Sequence, residues 1–531
     1  MRADLRGAGA PGSSTNLWGD DEAPLAVVAR NVGTRYLAIG MDALIGVVLL
    51  PFNVHHLGQS AYGLWMLTSS MMAYFSVLDL GFGGSMIKFI AQYRAKRDAR
   101  SLNEIASTLF VIFGICGVVA YGVFVALALN IGRVFNLTPD QIETGRALLL
   151  IVGIYVSLGF PFSIFGGIIN GFQRYDLNNF VGIASSLVVA VVNVTMLLSG
   201  ATLVQLVMTT TAVRVLTYFV YRLNAYLVFP ALSLRPSLFR WERVRELTSF
   251  SVYVAIIDWS NKLNYSIDAF VIGAFLSPAA VAIWTVPQRI AEALQRLTNQ
   301  LNGVLFPVVV DSDVQRPERL RAILIQGTRL SLASAIPLAA ALHLLAAPLI
   351  RAWVGPKFED SIVVAQILIV VVAFRVGNAT ATTLLKGAGQ HRLLSFANAG
   401  AAATNLVLSL LWIRSYGLIG QAMGTLIPVV ATSVFVLWPA ACRRVGLGVA
   451  EAARLAIWPA VWPVAVMALA VIPLRDAFSV RLAGVAAISA VGVLFYAVTF
   501  LAFAIGRKER DTYITKASEL AGLRRRVAAA A

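Results

Sequence analysis

The sequence predicts an all-α polytopic membrane protein with about 14 transmembrane helices. Of the 531 residues, 58% are hydrophobic and 13% are charged, and the mean hydropathy is +0.77. Soluble domains are typically about 45–50% apolar and about 25% charged. The apolar residues also fall in successive runs of about 20, the length that a helix needs to cross a bilayer. Composition and run length together therefore favour one bundle of membrane helices over several soluble domains.

The apolar runs define the predicted spans and the domain organisation. The spans lie near residues 32–53, 62–87, 105–130, 145–169, 178–199, 202–229, 249–276, 279–308, 322–346, 361–385, 393–413, 417–440, 453–473 and 482–505. We predict a first six-helix lobe at 31–230, a basic cytoplasmic linker at 231–248 and a second six-helix lobe at 249–445. Two extra helices occupy 446–505, between a disordered cytoplasmic N-terminal tail at 1–30 and a basic cytoplasmic C-terminal tail at 506–531.

The distribution of Lys and Arg predicts the orientation. Basic residues concentrate in the loops after spans 2, 6, 8 and 12 and in the C-terminal tail, whereas the loops after spans 1, 5 and 7 contain none. Basic loops remain in the cytoplasm, so both termini are predicted to be cytoplasmic. This pattern also accounts for the net charge of +17 without a nucleic-acid partner. The two cysteines, Cys116 and Cys442, lie within or at the end of spans and indicate neither a disulfide nor a metal site.

The chain contains an internal duplication. An offset of 219 positions places AKRDARSL, residues 95–102, over VQRPERLR, residues 314–321, and each of these basic loops links a second to a third span. With a three-residue shift, the turns INGFQRYD and LKGAGQHR also correspond, each after a fourth span. Both copies begin on the cytoplasmic side, which predicts two parallel six-helix repeats. Transporters often build a central binding site between such repeats.

The stretch LLPFNVHHLGQSAYGLWMLTSSMMAYFSVLDLGFGGSMIKFIAQY, residues 49–93, carries a family resemblance, as does TNLVLSLLWIRSYGLIGQAMGT, residues 404–425. Together with the predicted topology, they resemble the polysaccharide (O-antigen and exopolysaccharide) flippase family of the multidrug/oligosaccharidyl-lipid/polysaccharide exporter superfamily. The resemblance implies V-shaped lobes that alternate access and carry polyprenyl-pyrophosphate-linked oligosaccharide repeat units from the cytoplasmic to the periplasmic leaflet of the inner membrane. It further implies a polysaccharide polymerase and a chain-length regulator as partners. It supplies no invariant catalytic motif, so site residues must come from the charges in the spans.

Span 7 contains DWSNKLNYSID, residues 258–268. A charge at the bilayer centre is costly and normally faces a cavity or a partner. Asp258 and Lys262 are four residues apart on one helix face. They form either an internal ion pair or a site in which Asp258 positions Lys262 against an anionic head group. Asp268 is expected near the periplasmic end, in contact with water.

Span 8 places Arg289, Glu292 and Arg296 on one face. Arg289 lies about 11 residues into the span, roughly 16 Å at 1.5 Å per residue, which is near mid-membrane. The face has a net positive charge, and guanidinium groups bind phosphate in a fork. The face is therefore a candidate site for a pyrophosphate; alternatively, the lower half of the helix lies in cytoplasmic water.

Further charged residues lie in spans 1, 2, 6 and 10. Arg214 in span 6 and Arg375 in span 10 are expected to face the interior, either to contact the ligand or to pair with carboxylates such as Asp42. In span 1, Arg35 and Asp42 share a face, and Asp42 is a candidate for proton or Na⁺ coupling. In the LDLGFG segment, Asp79 is predicted to be a structural or gating residue, with Gly81 and Gly83 allowing close helix approach.

We predict a flippase for polyprenyl-pyrophosphate-linked oligosaccharides that acts as a monomer, without a cofactor or metal. A lipid II flippase and a multidrug or cation exporter of the same superfamily are alternatives, although an exporter of cations should have an acidic cavity. A membrane glycosyltransferase is the enzyme alternative. It is disfavoured because the predicted first periplasmic loop, NVHHLGQSA, offers His55 and His56 but no carboxylate. The sequence also lacks the GxxxxGK[ST] phosphate loop.

Overall fold

The computed structural model describes residues 24–75, 82–248, 268–315, 318–478, 481–506 and 510, and every regular element among them is helical. Hydrocarbon favours this outcome, because a helix satisfies its backbone N–H and C=O groups within the segment itself. Ten of the described helical segments are long and apolar enough to cross a membrane. The all-α polytopic class is therefore confirmed, and the count of 14 spans stays a prediction.

The first half of the chain begins with one long kinked helix. The helices here are α1 (Pro24–Phe75), α2 (Phe82–Ala95), α3 (Ala99–Val134), α4 (Pro139–Gly171), α5 (Tyr175–Leu198), α6 (Leu203–Val228) and α7, residues 241–248. Helix α1 starts ahead of the beginning predicted at residue 31. A single non-helical residue inside it, Gly58 with φ 77° and ψ 164°, occupies the position of the first predicted loop. A positive φ costs glycine little, so spans 1 and 2 meet at one residue.

The second half of the chain also contains a long helix that is kinked at a glycine. Its helices are α8 (residues 268–275), α9 (Pro278–Gln315), α10 (Glu318–Leu344), α11 (Ala346–Val354), α12 (Asp360–Gly387), α13 (His391–Thr432) and α14 (Trp438–Arg444). A π-helical turn, Ser433–Leu437, joins α13 to α14, and the helical segment Arg392–Arg444 has 53 residues. At about 1.5 Å per residue this is about 80 Å, more than twice the hydrocarbon thickness of about 30 Å. Gly417, with φ 56° and ψ −135°, interrupts α13 between predicted spans 11 and 12.

Two further apolar segments, Val449–Arg475 and Leu482–Ala504, lie at predicted spans 13 and 14. They contain α15 (Val449–Ala452), α16 (Trp458–Val461), α17 (Pro463–Phe478) and α18 (Leu482–Thr499), with π-helical turns at Ala453–Ile457 and Phe500–Ala504. Tyr496 in α18 donates a hydrogen bond to the carbonyl of Ala460 at 2.7 Å. The buried Arg329 of α10 donates to the carbonyl of Leu455, inside a π-helical turn, at 2.6 and 3.1 Å. These bonds attach the segments to each other and to α10.

Helix ends recur at the spacing of the sequence duplication. Helices α3 and α10 begin at Ala99 and Glu318, 219 positions apart. Three other pairs recur after 216 positions: α4 and α12 end at Gly171 and Gly387, α5 and α13 begin at Tyr175 and His391, and α6 and α14 end at Val228 and Arg444.

The turns after α4 and α12 also share their hydrogen bonds. In the first turn Arg174 donates its backbone N–H to Ile169, and in the second Gln390 donates to Leu385. Gln173 and Gly389, again 216 positions apart, both have positive φ. The two turns therefore have the same backbone design despite different sequences.

The described helices form two compact units. Among the described residues, the first comprises 24–52, 71–75, 82–131 and 139–248; the second comprises Asn53–Ser70, Gly132–Thr138 and the described residues from 268 onward. Two segments of the predicted first lobe thus belong to the second unit. Within that unit, Gln59 donates to the carbonyl of Lys357 at 2.7 Å, and Asn136 donates to that of Leu276 at 2.9 Å. The hydrophobic core of the second unit joins α10, α12 and α14 around Leu324, Leu384 and the free thiol of the buried Cys442.

Gly63 lies directly against the backbone at the start of α9. A methyl group at Gly63 would overlap the carbonyl oxygen of Pro278, whereas one at the exposed Gly122 of α3 would meet nothing within 4 Å. Gly63→Ala should therefore destabilise the protein by about 1–3 kcal/mol through overpacking. Gly122→Ala should stabilise it slightly, since alanine favours a helix over glycine.

Thermal unfolding of both purified variants in one detergent checks this prediction. The expected result is a lower midpoint for Gly63→Ala and an unchanged or higher midpoint for Gly122→Ala. Equal midpoints in the two variants would contradict the close packing at Gly63.

Candidate functional site

Helix α9 carries the arginine face, defined by Arg289, Glu292 and Arg296. One carboxylate oxygen of Glu292 lies 3.7 Å from Nη1 of Arg289 and 3.7 Å from Nη2 of Arg296. Gln288 donates to the other Glu292 oxygen at 3.0 Å. The side chains of Arg289, Glu292 and Arg296 are 51%, 39% and 53% exposed. Two accessible guanidinium groups thus share one carboxylate at long range, and the face keeps a net positive charge.

The helix period explains why these charges lie together. Residues three and four apart occupy one side of a helix, which places the three charges in a single row. The other side of α9 is buried in the second unit through Trp284, Ile290 and Leu294. The arginine face is therefore held by a packed helix, with its polar row accessible.

Asp268 is the centre of a buried polar cluster in the second unit. Its side chain accepts a hydrogen bond from the Gln421 amide at 2.7 Å. Arg375 and Thr425 also interact with the carboxylate. Only 8% of Asp268 is exposed. The expectation that Asp268 contacts water near the periplasmic end is therefore wrong, because helix packing encloses it.

The same cluster supplies a partner for Arg375. The half-buried guanidinium lies close enough to Asp268 to attract its carboxylate, while a pairing with carboxylates such as Asp42 stays a prediction. Sequence spacing could not reveal this pair, because the two residues are far apart in the chain. A buried carboxylate with a cation and an amide beside it is electrostatically compensated.

Four buried polar residues of α13 were missed by the sequence analysis, and two of them, Gln421 and Thr425, interact with Asp268. Asn405, Ser409, Gln421 and Thr425 are all buried in α13. Ser409 donates to the side-chain oxygen of Asn405 at 3.0 Å. The pairs are spaced by four residues on either side of Gly417, within apolar spans and within the stretch 404–425. Their recurrence at helical spacing was the available signal for an internal polar cluster.

The first unit places Arg214 beside aromatic rings. Its guanidinium carbon lies 5.9 Å from the ring centre of Tyr155. The ring of Tyr218 stacks on Tyr155 at 5.4 Å and on Phe162 at 5.5 Å. Cation–π contacts of this kind hold a guanidinium without neutralising its charge. Arg214 is exposed and belongs to the first unit, whereas the arginine face belongs to the second.

Asp42 has a neutral partner. Ser186 donates to its carboxylate at 3.0 Å, and the side chain is exposed. Arg35 and Asp42, both among the described residues, do not form an ion pair, since two helical turns separate them. Asp42 keeps its charge available, as ion coupling would require.

Several candidate residues lie outside the described ranges or away from the sites above. Asp258, Lys262, Asp79 and Gly81 lie outside the described residues, and Gly83 lies in α2. His55 and His56 are exposed, with ring centres 5.2 Å apart. Across the described ranges, no group of three or more His, Cys, Asp or Glu could hold a metal ion.

The chain is similar to two proteins described as a transporter and a flippase. It is 19% identical over 414 residues to a candidate O-antigen transporter of Shigella flexneri, covering 77% of this chain and 97% of the relative. It is 21% identical over 417 residues to a candidate flippase, AglR, of Haloferax volcanii, covering 77% of this chain and 83% of the relative.

Solved structures share the fold. The lipid II flippase MurJ, in an inward closed conformation, superposes with a TM-score of 0.67 at 13% identity, covering 90% of this chain and 98% of that chain. An inward-facing multidrug resistance MATE family transporter of the MOP superfamily gives 0.59 at 14% identity, covering 76% and 94%. The protein therefore has the fold of the MOP superfamily.

The family itself follows from a sequence match. Residues 28–312 match the family described as "Polysaccharide biosynthesis protein". Because this match spans more than half of the chain, the protein belongs to the polysaccharide biosynthesis protein family.

Proposed function

We propose that the protein is a flippase that moves polyprenyl-pyrophosphate-linked oligosaccharide repeat units from the cytoplasmic to the periplasmic leaflet. Family membership and the two transporter relatives support a role in the export of lipid-linked saccharides. The protein acts as a transporter and not as an enzyme. It works as a monomer in the inner membrane, with both termini in the cytoplasm. Its proposed partners are a polymerase and a chain-length regulator.

The arginine face is the observation that carries this proposal. Arg289 lies 11 residues after Pro278 in α9, about 16 Å along the helix, where a charge facing lipid would be costly. The exposed half of Arg289 therefore faces a polar cavity, and Arg296 extends the same positive face toward the predicted cytoplasmic end of the span. Two guanidinium groups with one shared carboxylate favour a ligand with two or more negative charges, and a pyrophosphate meets this requirement.

The charge of the accessible groups separates this function from the alternatives. Arg289 and Arg296 repel organic cations, which disfavours a cation exporter. Movement of an unneutralised pyrophosphate out of a negatively charged cell interior is favoured by about 2.3 kcal/mol per charge and 100 mV. The membrane potential can therefore contribute to transport. Asp42, with its accessible carboxylate, is the proposed site if protons or Na⁺ also contribute.

Alternating access requires two halves of the protein that move relative to each other, and we propose that the two six-helix repeats are those halves. The matching helix ends at spacings of 219 and 216, and the matching turns after α4 and α12, support a duplicated architecture. Lys262 and Arg375 complete the proposed set of basic residues. The attraction between Arg375 and Asp268 also contributes to the stability of the second repeat.

Charge changes on the arginine face should have opposite effects. Arg289→Gln combined with Arg296→Gln should reduce translocation of a pyrophosphate-linked oligosaccharide at least tenfold, because each charge-assisted hydrogen bond contributes about 1.5–3 kcal/mol. Glu292→Gln should lower the KM, since it frees both guanidinium groups from a competing carboxylate. Initial rates in reconstituted vesicles measure both effects.

Two controls make this prediction specific. Arg351→Gln breaks an exposed pair with Glu359 at 2.9 Å elsewhere in the second unit, and it should leave transport unchanged. An uncharged polyprenol carrying the same oligosaccharide should show no difference between parent and variants. If the Arg289/Arg296 variant folded normally and transported the pyrophosphate lipid at the parental rate, the arginine face would not be the head-group site.

Asp268 and Arg375 should show energetic coupling. Asp268→Asn or Arg375→Gln alone should destabilise the protein, because each removes one of two opposite charges that attract each other within the second unit. The double variant should lose less than the sum of the two. Unfolding midpoints of the four proteins measure the coupling, and additive losses would show that Asp268 and Arg375 do not stabilise each other.

A further inference from the structure

The linker between the two predicted repeats is fastened to α3 along its backbone. Side chains on one face of α3 accept hydrogen bonds from linker backbone N–H groups. The pairs are Asn103 with Ser233 at 2.9 Å, Ser107 with Arg235 at 3.2 Å, and Thr108 with Arg240 at 3.1 Å. One side of the linker therefore packs against α3, which we call its inner side, and the outer side faces away from α3.

Arg243 anchors the inner face of α7. Its guanidinium contacts a carboxylate oxygen of Glu104 at 3.0 Å and one of Glu246 at 3.0 Å, and it donates to the Tyr93 hydroxyl at 2.7 Å. Burial and the neighbouring Glu246 raise the pKa of Tyr93, so its hydroxyl stays protonated. Leu247, fully buried, completes this face. These contacts fix which side of α7 faces α2 and α3.

The outer face of α7 carries an aromatic ring between basic side chains. Trp241 is 70% exposed, and its ring packs edge-on against Phe239 at 5.4 Å. Arg245, one helical turn further, is exposed on the same side, and Arg240 is exposed next to the ring. Tryptophan with an accessible ring is typical of the interface between membrane and water.

The turn between α2 and α3 extends the basic surface. Over residues 95–101 and 231–248, six basic residues are exposed, against one exposed acid, Glu242. The six are Lys96, Arg97, Arg100, Arg235, Arg240 and Arg245. Arg243 joins the two segments, since it contacts Tyr93 in α2 and donates to Ser101 in α3 at 2.8 Å. The linker follows directly on the membrane helix α6, so this surface lies at the level of the lipid head groups.

We propose that these six residues and Trp241 form a binding surface for the head groups of anionic phospholipids. Clusters of four to eight basic residues beside a membrane helix attract anionic lipids, each contributing about a fivefold factor in affinity. Trp241 enters the interfacial layer while the arginines contact the phosphates. The surface is distinct from the arginine face of α9 and concerns resident lipids, not the transported substrate.

Lipid retention by the full-length protein tests the proposal. The protein is purified with phosphatidylglycerol or phosphatidylcholine, and the number of retained lipids is measured by mass spectrometry of the intact complex. Arg240→Gln with Arg245→Gln should weaken phosphatidylglycerol retention at least fivefold and leave phosphatidylcholine unchanged. The matched control, Arg146→Gln with Arg481→Gln, removes two exposed arginines predicted to be periplasmic and should have no effect. Equal losses in the two double variants would overturn the proposal.

Fluorescence provides a second readout that does not depend on the arginine variants. In vesicles, brominated phosphatidylglycerol should quench Trp241 more than brominated phosphatidylcholine does, and high salt should abolish the difference by screening. The Trp241 signal is the difference between the parent and Trp241→Phe. A Trp241 signal that neither lipid quenches, or that both quench equally, would also overturn the proposal.

Discussion

The cost of a charge in hydrocarbon governs this structure. The bilayer provides no water to solvate a charge, so a membrane helix can carry a charge only where another group or a polar cavity stabilises it. The described helices use several solutions. Asp268 has an amide and a guanidinium, Arg329 has a backbone carbonyl made available in a π-helical turn, and Arg214 has a tyrosine ring. Arg289 and Arg296 differ, because they share a single distant carboxylate and remain half exposed.

This difference separates structural charges from functional ones. A buried carboxylate such as Asp268, which accepts a hydrogen bond from Gln421, stabilises a fold and has little capacity left for a ligand. A row with excess positive charge and accessible guanidinium groups keeps that capacity. The proposed flippase role follows from this contrast together with family membership. The same constraint places the other excess of basic residues at the membrane surface, where lipid head groups can neutralise them.

Local pattern predicted much of the fold. The apolar runs located α3 to α6, α10 and α12, because a membrane helix depends chiefly on its own composition. The periodicity also placed Arg289, Glu292 and Arg296 on one face. Partners distant in sequence were not predictable, since nothing near Asp268 or Arg375 indicates the other residue. The sequence analysis expected loops at Gly58 and Gly417. Each connection is instead a single non-helical residue inside a long helix. The grouping of Asn53–Ser70 with the second unit depends on packing at Gly63, which no periodicity shows.

The most direct test of the account is a leaflet-specific transport measurement. Vesicles containing the purified protein receive a fluorescent polyprenyl-pyrophosphate oligosaccharide, and a membrane-impermeant quencher reports the fraction that has crossed. The account predicts protein-dependent translocation of this lipid that accelerates with a membrane potential favouring outward movement of negative charge. Absence of translocation, together with efflux of organic cations by the same vesicles, would contradict it and place the protein among the drug exporters.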